Sequence, residues 1–73
     1  MPQLPLLSGR EVVKALHVLG YEIVRQRGSH MRLHATGRKP LTVPDHKSIG
    51  QKLLHKILRD ADLTPEQFLN LLK

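Results

Sequence analysis

Tyr21-Glu22-Ile23-Val24-Arg25-Gln26-Arg27-Gly28-Ser29-His30-Met31-Arg32-Leu33-His34-Ala35 is the stretch whose reading decides the fold. Tyr21, Ile23 and Arg25 alternate with Glu22, Val24 and Gln26. After the turn signal Arg27-Gly28, the residues Met31, Leu33 and Ala35 alternate with His30, Arg32 and His34. A period of two marks strands with unlike faces. Thr36-Gly37-Arg38-Lys39-Pro40 reads as a second turn, and Leu41-Thr42-Val43 as a third strand that Pro44 ends or marks as an edge. Connections this short predict an antiparallel three-stranded meander. If Met31 and Leu33 face a core, then His30, Arg32 and His34 face away from it.

Helices flank the meander. Ser8-Gly9-Arg10-Glu11, Ser48-Ile49-Gly50-Gln51 and Thr64-Pro65-Glu66-Gln67 each read as a capping box, in which a hydroxyl and a carboxyl or amide satisfy orphan backbone N–H groups. Helical stripes follow each box: Val12, Ala15, Leu16 and Leu19; Leu53, Leu54, Ile57, Leu58 and Ala61; Phe68, Leu69 and Leu72. Gly20 stops the first helix. The order is α-β-β-β-α-α, an α+β fold with the helices covering one face of the sheet. At 73 residues the chain has room for a single domain, 1–73.

Composition narrows the function. The chain has no Cys, which excludes disulfides and thiolate metal sites. Tyr21 and Phe68 are the only aromatic residues, too few for a platform of stacked bases. The apolar start Met1–Leu7 is short and broken by two prolines, unlike a signal peptide, and no run approaches a membrane span. The expectation is a soluble cytoplasmic protein.

Twelve Lys and Arg against six acids give a net charge of +6. The excess is concentrated. Between Arg25 and Arg59 there are nine basic residues and one acid, Asp45, a net +8, while the remainder is −2. Lys52, Lys56 and Arg59 fall on one face of the second helix, opposite its apolar stripe. A charged helix face is an ordinary solvated surface; half a chain carrying all the excess charge points instead to a polyanion. The expected nucleic-acid contacts are Arg27, Arg32, Arg38, Lys39, Lys47, Lys52 and Lys56, with Gly28 and Ser29 forming a small turn that a phosphate backbone can approach.

Five histidines invite two kinds of chemistry. His30 and His34 lie about 13 Å apart along a strand, too far to share one metal ion. No metal and no cofactor are expected. Acid–base work on RNA is the other option. RNA supplies its own nucleophile, the 2′-hydroxyl, so cleavage needs a proton-transfer group and cations for the developing phosphorane charge. Histidine titrates in the right range. His30 follows the small turn and opens the exposed strand face. His46, after Pro44-Asp45, is an auxiliary candidate, and His34 reads either way. Local pattern alone makes His30 an ordinary exposed strand residue.

The order of motifs is more specific than any one of them. Ser8-Gly9-Arg10-Glu11-Val12-Val13-Lys14-Ala15-Leu16 is followed by Leu19-Gly20-Tyr21, Arg27-Gly28-Ser29-His30 and Val43-Pro44-Asp45-His46. Leu53–Leu63 and Glu66-Gln67-Phe68-Leu69 complete the series. In this the chain resembles the HicA (YcfA-like) mRNA interferase toxins of toxin–antitoxin pairs. The resemblance implies a double-stranded-RNA-binding-like fold, α-β-β-β-α with an added helix, and metal-independent endoribonuclease activity on mRNA. It implies that His30 is catalytic and that a HicB-type antitoxin is the partner. The family often has a second His or an aromatic residue after the catalytic His; Met31 stands there, as suits an inward-facing position. The basic Lys-Lys-x-Ala-Lys signature of double-stranded-RNA-binding helices is missing. A non-catalytic basic RNA-binding module, or a protein that only docks an acidic partner, would share the charge but not the need for His30.

Overall fold

The outer helices begin where the sequence places a hydroxyl three residues ahead of a carboxyl or amide. The computed structural model describes residues 4–72; Met1–Gln3, part of the apolar start, and Lys73, part of the charge count, lie outside the described residues. The element order is α1 (Gly9–His17), β1 (Glu22–Arg27), β2 (His30–His34), β3 (Leu41–Pro44), α2 (Gln51–Asp60) and α3 (Pro65–Leu71). At α1 the Glu11 N–H donates to Ser8 Oγ at 3.1 Å and the Ser8 N–H donates to Glu11 Oε1 at 2.9 Å. At α3 Thr64 and Gln67 form the same reciprocal pair at 3.1 and 2.9 Å.

The middle box does not form, which corrects the sequence reading. The cap of α2 is Gly50, with no side-chain bond, and Ser48 lies outside the helix. Ile49 instead pairs with Leu7 as an antiparallel bridge, its N–H donating to the Leu7 carbonyl at 2.7 Å. Gln51, the other half of the expected box, donates its amide to the Leu4 carbonyl at 3.0 Å. Burying Ile49 completely is worth about 2 kcal/mol, more than the roughly 1 kcal/mol of a typical cap. The segment therefore runs straight until the isoleucine is covered.

The strands form one antiparallel sheet in the order β1-β2-β3. On β2 the pattern holds as expected: Met31 and Leu33 are buried while His30 and His34 are exposed. Leu41 and Val43 of β3 join them under the helices with Val12, Leu16, Leu54, Ile57, Leu58 and Phe68. Tyr21 is buried just before β1, and its hydroxyl donates to the Lys39 carbonyl at 2.8 Å. β1 departs from simple alternation. All six of its residues are exposed, Ile23 at 38% and Val24 at 56%, because it is an edge strand with a bulge between Ile23 and Arg25. The extra residue puts Ile23 opposite Leu33 and Arg25 opposite Arg32, shifting the phase of the strand between them.

Close approach fixes the first residue of α1. A Cβ on Gly9 would overlap the Pro44 carbonyl, so only glycine lets the helix start against the end of β3.

Two helices end on paired C-terminal bonds. After α1 the Tyr21 and Gly20 N–H groups bond the Leu16 and His17 carbonyls, with Gly20 at φ +98°. After α2 the Leu63 and Asp62 N–H groups bond the Leu58 and Arg59 carbonyls in the same pattern. There the left-handed position is held by Asp62, at φ +60°. Asp62→Gly should therefore raise stability by about 1 kcal/mol, the cost of a side chain in that conformation. Thermal melting should show a gain of several degrees for a domain of this size; a lower melting temperature would contradict the strain.

Candidate functional site

The face of the sheet turned away from the helices gathers an imidazole and several guanidiniums. A two-residue turn, Gly28–Ser29, joins β1 to β2 and places Arg27 opposite His30. Next along the ladder, Arg25 pairs with Arg32, and Arg32 with Thr42 of β3. Arg25, Arg27, His30, Arg32 and Thr42 line one open depression of about 250 Å³. Arg32 Nη1 donates to Thr42 Oγ1 at 2.9 Å, which holds that guanidinium across the β2–β3 boundary. The bulge at Val24 matters here: Ile23 stands opposite the inward-facing Leu33, and uninterrupted alternation would have left Arg25 and Arg27 on that same inner face instead of beside Arg32 and His30. The result is an imidazole among three guanidiniums, with no acidic residue in the lining. Cations to hold a phosphodiester and a group able to move a proton are thus in one place.

The other expected contacts lie elsewhere. Arg38 and Lys39 sit with Arg59 around a separate depression of about 530 Å³ between the β2–β3 turn and the end of α2, alongside Asp60 and Asp62. Arg38 is partly committed to structure, its Nη1 donating to the Ala61 carbonyl at 3.3 Å where α2 ends. Lys47 is exposed in the loop before α2, and Lys52 and Lys56 are exposed on α2 itself. Gly28 is exposed in the turn; Ser29 is half-buried and accepts the Asp45 N–H through its carbonyl. His46 is exposed but does not line the depression around His30; its carbonyl accepts the Gly9 N–H at 2.9 Å. Arg25 and Thr42 complete that depression, although the sequence reading does not single them out. Thr42 is legible from the register, opposite Arg32. Arg25 is not, because nothing in the alternation announces the bulge.

Asp45, the one acid of the basic segment, is occupied. Arg10 grips it with Nε on Oδ1 at 3.3 Å and Nη2 on Oδ2 at 3.1 Å, and Gln26 Nε2 donates to Oδ2 at 3.3 Å. The Arg10 hydrogen bond, with help from its charge, Gln26 and His46, holds the carboxyl below its ordinary value of 3.8 against a smaller desolvation effect. A carboxyl depressed in the folded state adds stability that is complete above its unfolded value and is lost as pH falls through the folded one. Asp45→Asn should accordingly show a smaller loss of melting temperature than the wild type as pH is taken below about 4. Parallel melting curves for the two proteins across that range would contradict the coupling.

Among the described residues no group of three or more His, Cys, Asp or Glu side chains is gathered as metal ligands. Nor is any described helix long and apolar enough to cross a membrane. The family model described as "HicA toxin of bacterial toxin-antitoxin" matches residues 9–63, from the start of α1 through the turn after α2. No curated protein matches the chain.

Proposed function

This chain belongs to the HicA toxin family of bacterial toxin–antitoxin systems, and from that premise we propose that it is a metal-independent endoribonuclease acting on mRNA through His30. The observation that carries the reading is the company His30 keeps: Arg25, Arg27 and Arg32 around one depression on an uncovered sheet face. A substrate phosphodiester laid there meets positive charge from Arg25 and Arg27 of β1 and from Arg32 of β2. His30 moves the proton as the 2′-oxygen attacks phosphorus, the P–O5′ bond breaks, and the guanidiniums stabilise the charge gathering on the non-bridging oxygens. The bonds balance without water: one P–O bond forms, one breaks, and the proton lost by the 2′-hydroxyl is matched by one gained at the 5′-oxygen. The products are a 2′,3′-cyclic phosphate and a 5′-hydroxyl. An open, shallow site suits a polymer that must enter from the side.

A toxin needs an antitoxin, and a HicB-type protein covering the sheet face would both neutralise its charge and block His30. The exposed cations Lys47, Lys52 and Lys56, with Arg38 and Lys39, extend the electrostatic surface for RNA beyond the depression.

His30→Ala tests the reading. The side chain is exposed and outside the core, so stability should change by no more than about 0.5 kcal/mol. Cleavage should fall on the order of 100- to 10,000-fold, with growth toxicity lost. Wild-type cleavage should persist in EDTA and leave cyclic phosphate ends. Near-wild-type cleavage by the variant would shift the assignment to His46 or His34; products ending in 5′-phosphate would reject the mechanism.

RNA binding itself should be electrostatic. If about four Lys or Arg contact single-stranded RNA, log K falls with log salt at a slope near −3. Replacing Lys52 and Lys56 together should flatten that slope, whatever the RNA sequence. Salt-independent binding would remove the electrostatic track.

A further inference from the structure

We propose that Asp45 is a positioning residue for His30, clamping the Gly28–Ser29 turn to the end of β3. The inference rests on His30 being the catalytic group.

Both carbonyls of the turn are held from Asp45. The Asp45 N–H donates to the Ser29 carbonyl at 2.5 Å. Gln26 Nε2 donates to the Gly28 carbonyl at 3.1 Å and to Asp45 Oδ2 at 3.3 Å, so the Asp45 carboxylate steadies the amide that holds the second carbonyl. Arg10, reaching over from α1, binds both oxygens of Asp45 and donates to Gln26 Oε1 at 3.4 Å, which neutralises the carboxylate and fixes the orientation of the amide. None of Arg10, Gln26 and Asp45 lines the depression around His30.

The clamp sits where the sheet lacks a tie. His30 pairs with Pro44, which has no N–H to give to the ladder. The next residue, Asp45, supplies the missing donor one step further on. His30 and Arg27 are the immediate neighbours of the clamped turn, so its geometry sets theirs. An exposed ion pair of this kind adds little to stability. A displacement of about 1 Å at a reacting group, by contrast, can cost on the order of 100-fold in rate. The network's effect should therefore fall on catalysis rather than on folding.

Asp45→Ala keeps the backbone N–H but releases Gln26 and Arg10. Expected are a kcat lowered roughly 10- to 100-fold and a KM for RNA within about twofold, because the phosphate-facing arginines remain. Asp45→Asn, which retains an acceptor for the Gln26 amide, should recover most of the rate. Gln26→Ala, which leaves the ion pair in place, should reproduce the loss. The Arg10→Ala, Asp45→Ala double variant should cost no more than the worse single one, as residues acting through one network do. Amide hydrogen exchange and the His30 ring resonances, read by NMR on the same free proteins, give an arm independent of activity: faster exchange of the position-45 amide and altered His30 signals are expected in Asp45→Ala. Unchanged exchange overturns the clamp. So does altered exchange with unchanged kcat, or a kcat that falls only in step with the folded fraction. If the wild type does not cleave, or His30→Ala cleaves normally, the nuclease reading fails, and the NMR arm alone then decides whether Asp45 holds the turn.

Discussion

The register of β2 governs the rest of the molecule. Met31 and Leu33 are fully buried against the helices, and their neighbours on the same strand are His30, Arg32 and His34. Because side chains alternate faces residue by residue, a slip of one position would drive three polar or charged groups into the core and expose both apolar ones. Burying even one unpaired guanidinium costs several kcal/mol, comparable to the whole stability expected of a domain this small. The register is therefore pinned by the core, and the outward face receives its histidines and arginine as a consequence. The facing of these residues is thus set by the core beneath them.

The edge strand shows what the fold gives up to complete that face. β1 contributes no fully buried side chain, and its Ile23 and Val24 remain partly exposed. Its bulge brings Arg25 and Arg27 to the same side as His30 and Arg32, concentrating like charges on adjacent strands. Such neighbours repel, and cross-strand like pairs destabilise a sheet. A bulged, basic edge is also a poor template for pairing with another copy of the chain. The arrangement makes physical sense for a surface that meets a polyanion, where the repulsion is relieved on binding and counterions are released from the nucleic acid.

What could be read from the sequence follows from how local each determinant is. The Ser8 and Thr64 boxes are complete within four residues, and both form. The Ser48 box is equally complete on paper and does not form, because Ile49 has a buried partner in Leu7, far away in the chain. The alternation of β2 is local and holds; that of β1 is interrupted by a bulge with no residue signature. The same division applies to the site. His30, Arg27 and Arg32 are adjacent through one hairpin, so a reading of the turn brings them together. Arg38, Lys39, Lys52 and Lys56 belong to the same basic segment, but the structure places the first two on the far turn and the last two on α2, outside the depression around His30.

The same logic explains how few side chains the proposed site would need. A hydrolase that activates water needs a pocket to hold and orient it. A phosphodiester whose own 2′-hydroxyl attacks brings the nucleophile already tethered, so the protein has only to fix the phosphate, move a proton and stabilise charge. Those tasks require few side chains, provided they are rigidly placed. The sheet supplies the rigidity for Arg25, Arg32 and Thr42 through paired strands and the Arg32–Thr42 bond. His30 stands at the strand end, where ladder support runs out at Pro44, and there the tie passes to Asp45, Gln26 and Arg10. In the cationic half of the chain a lone carboxylate would weaken the attraction for RNA; bound to Arg10 it adds no net charge to the surface while fastening the turn that carries the histidine.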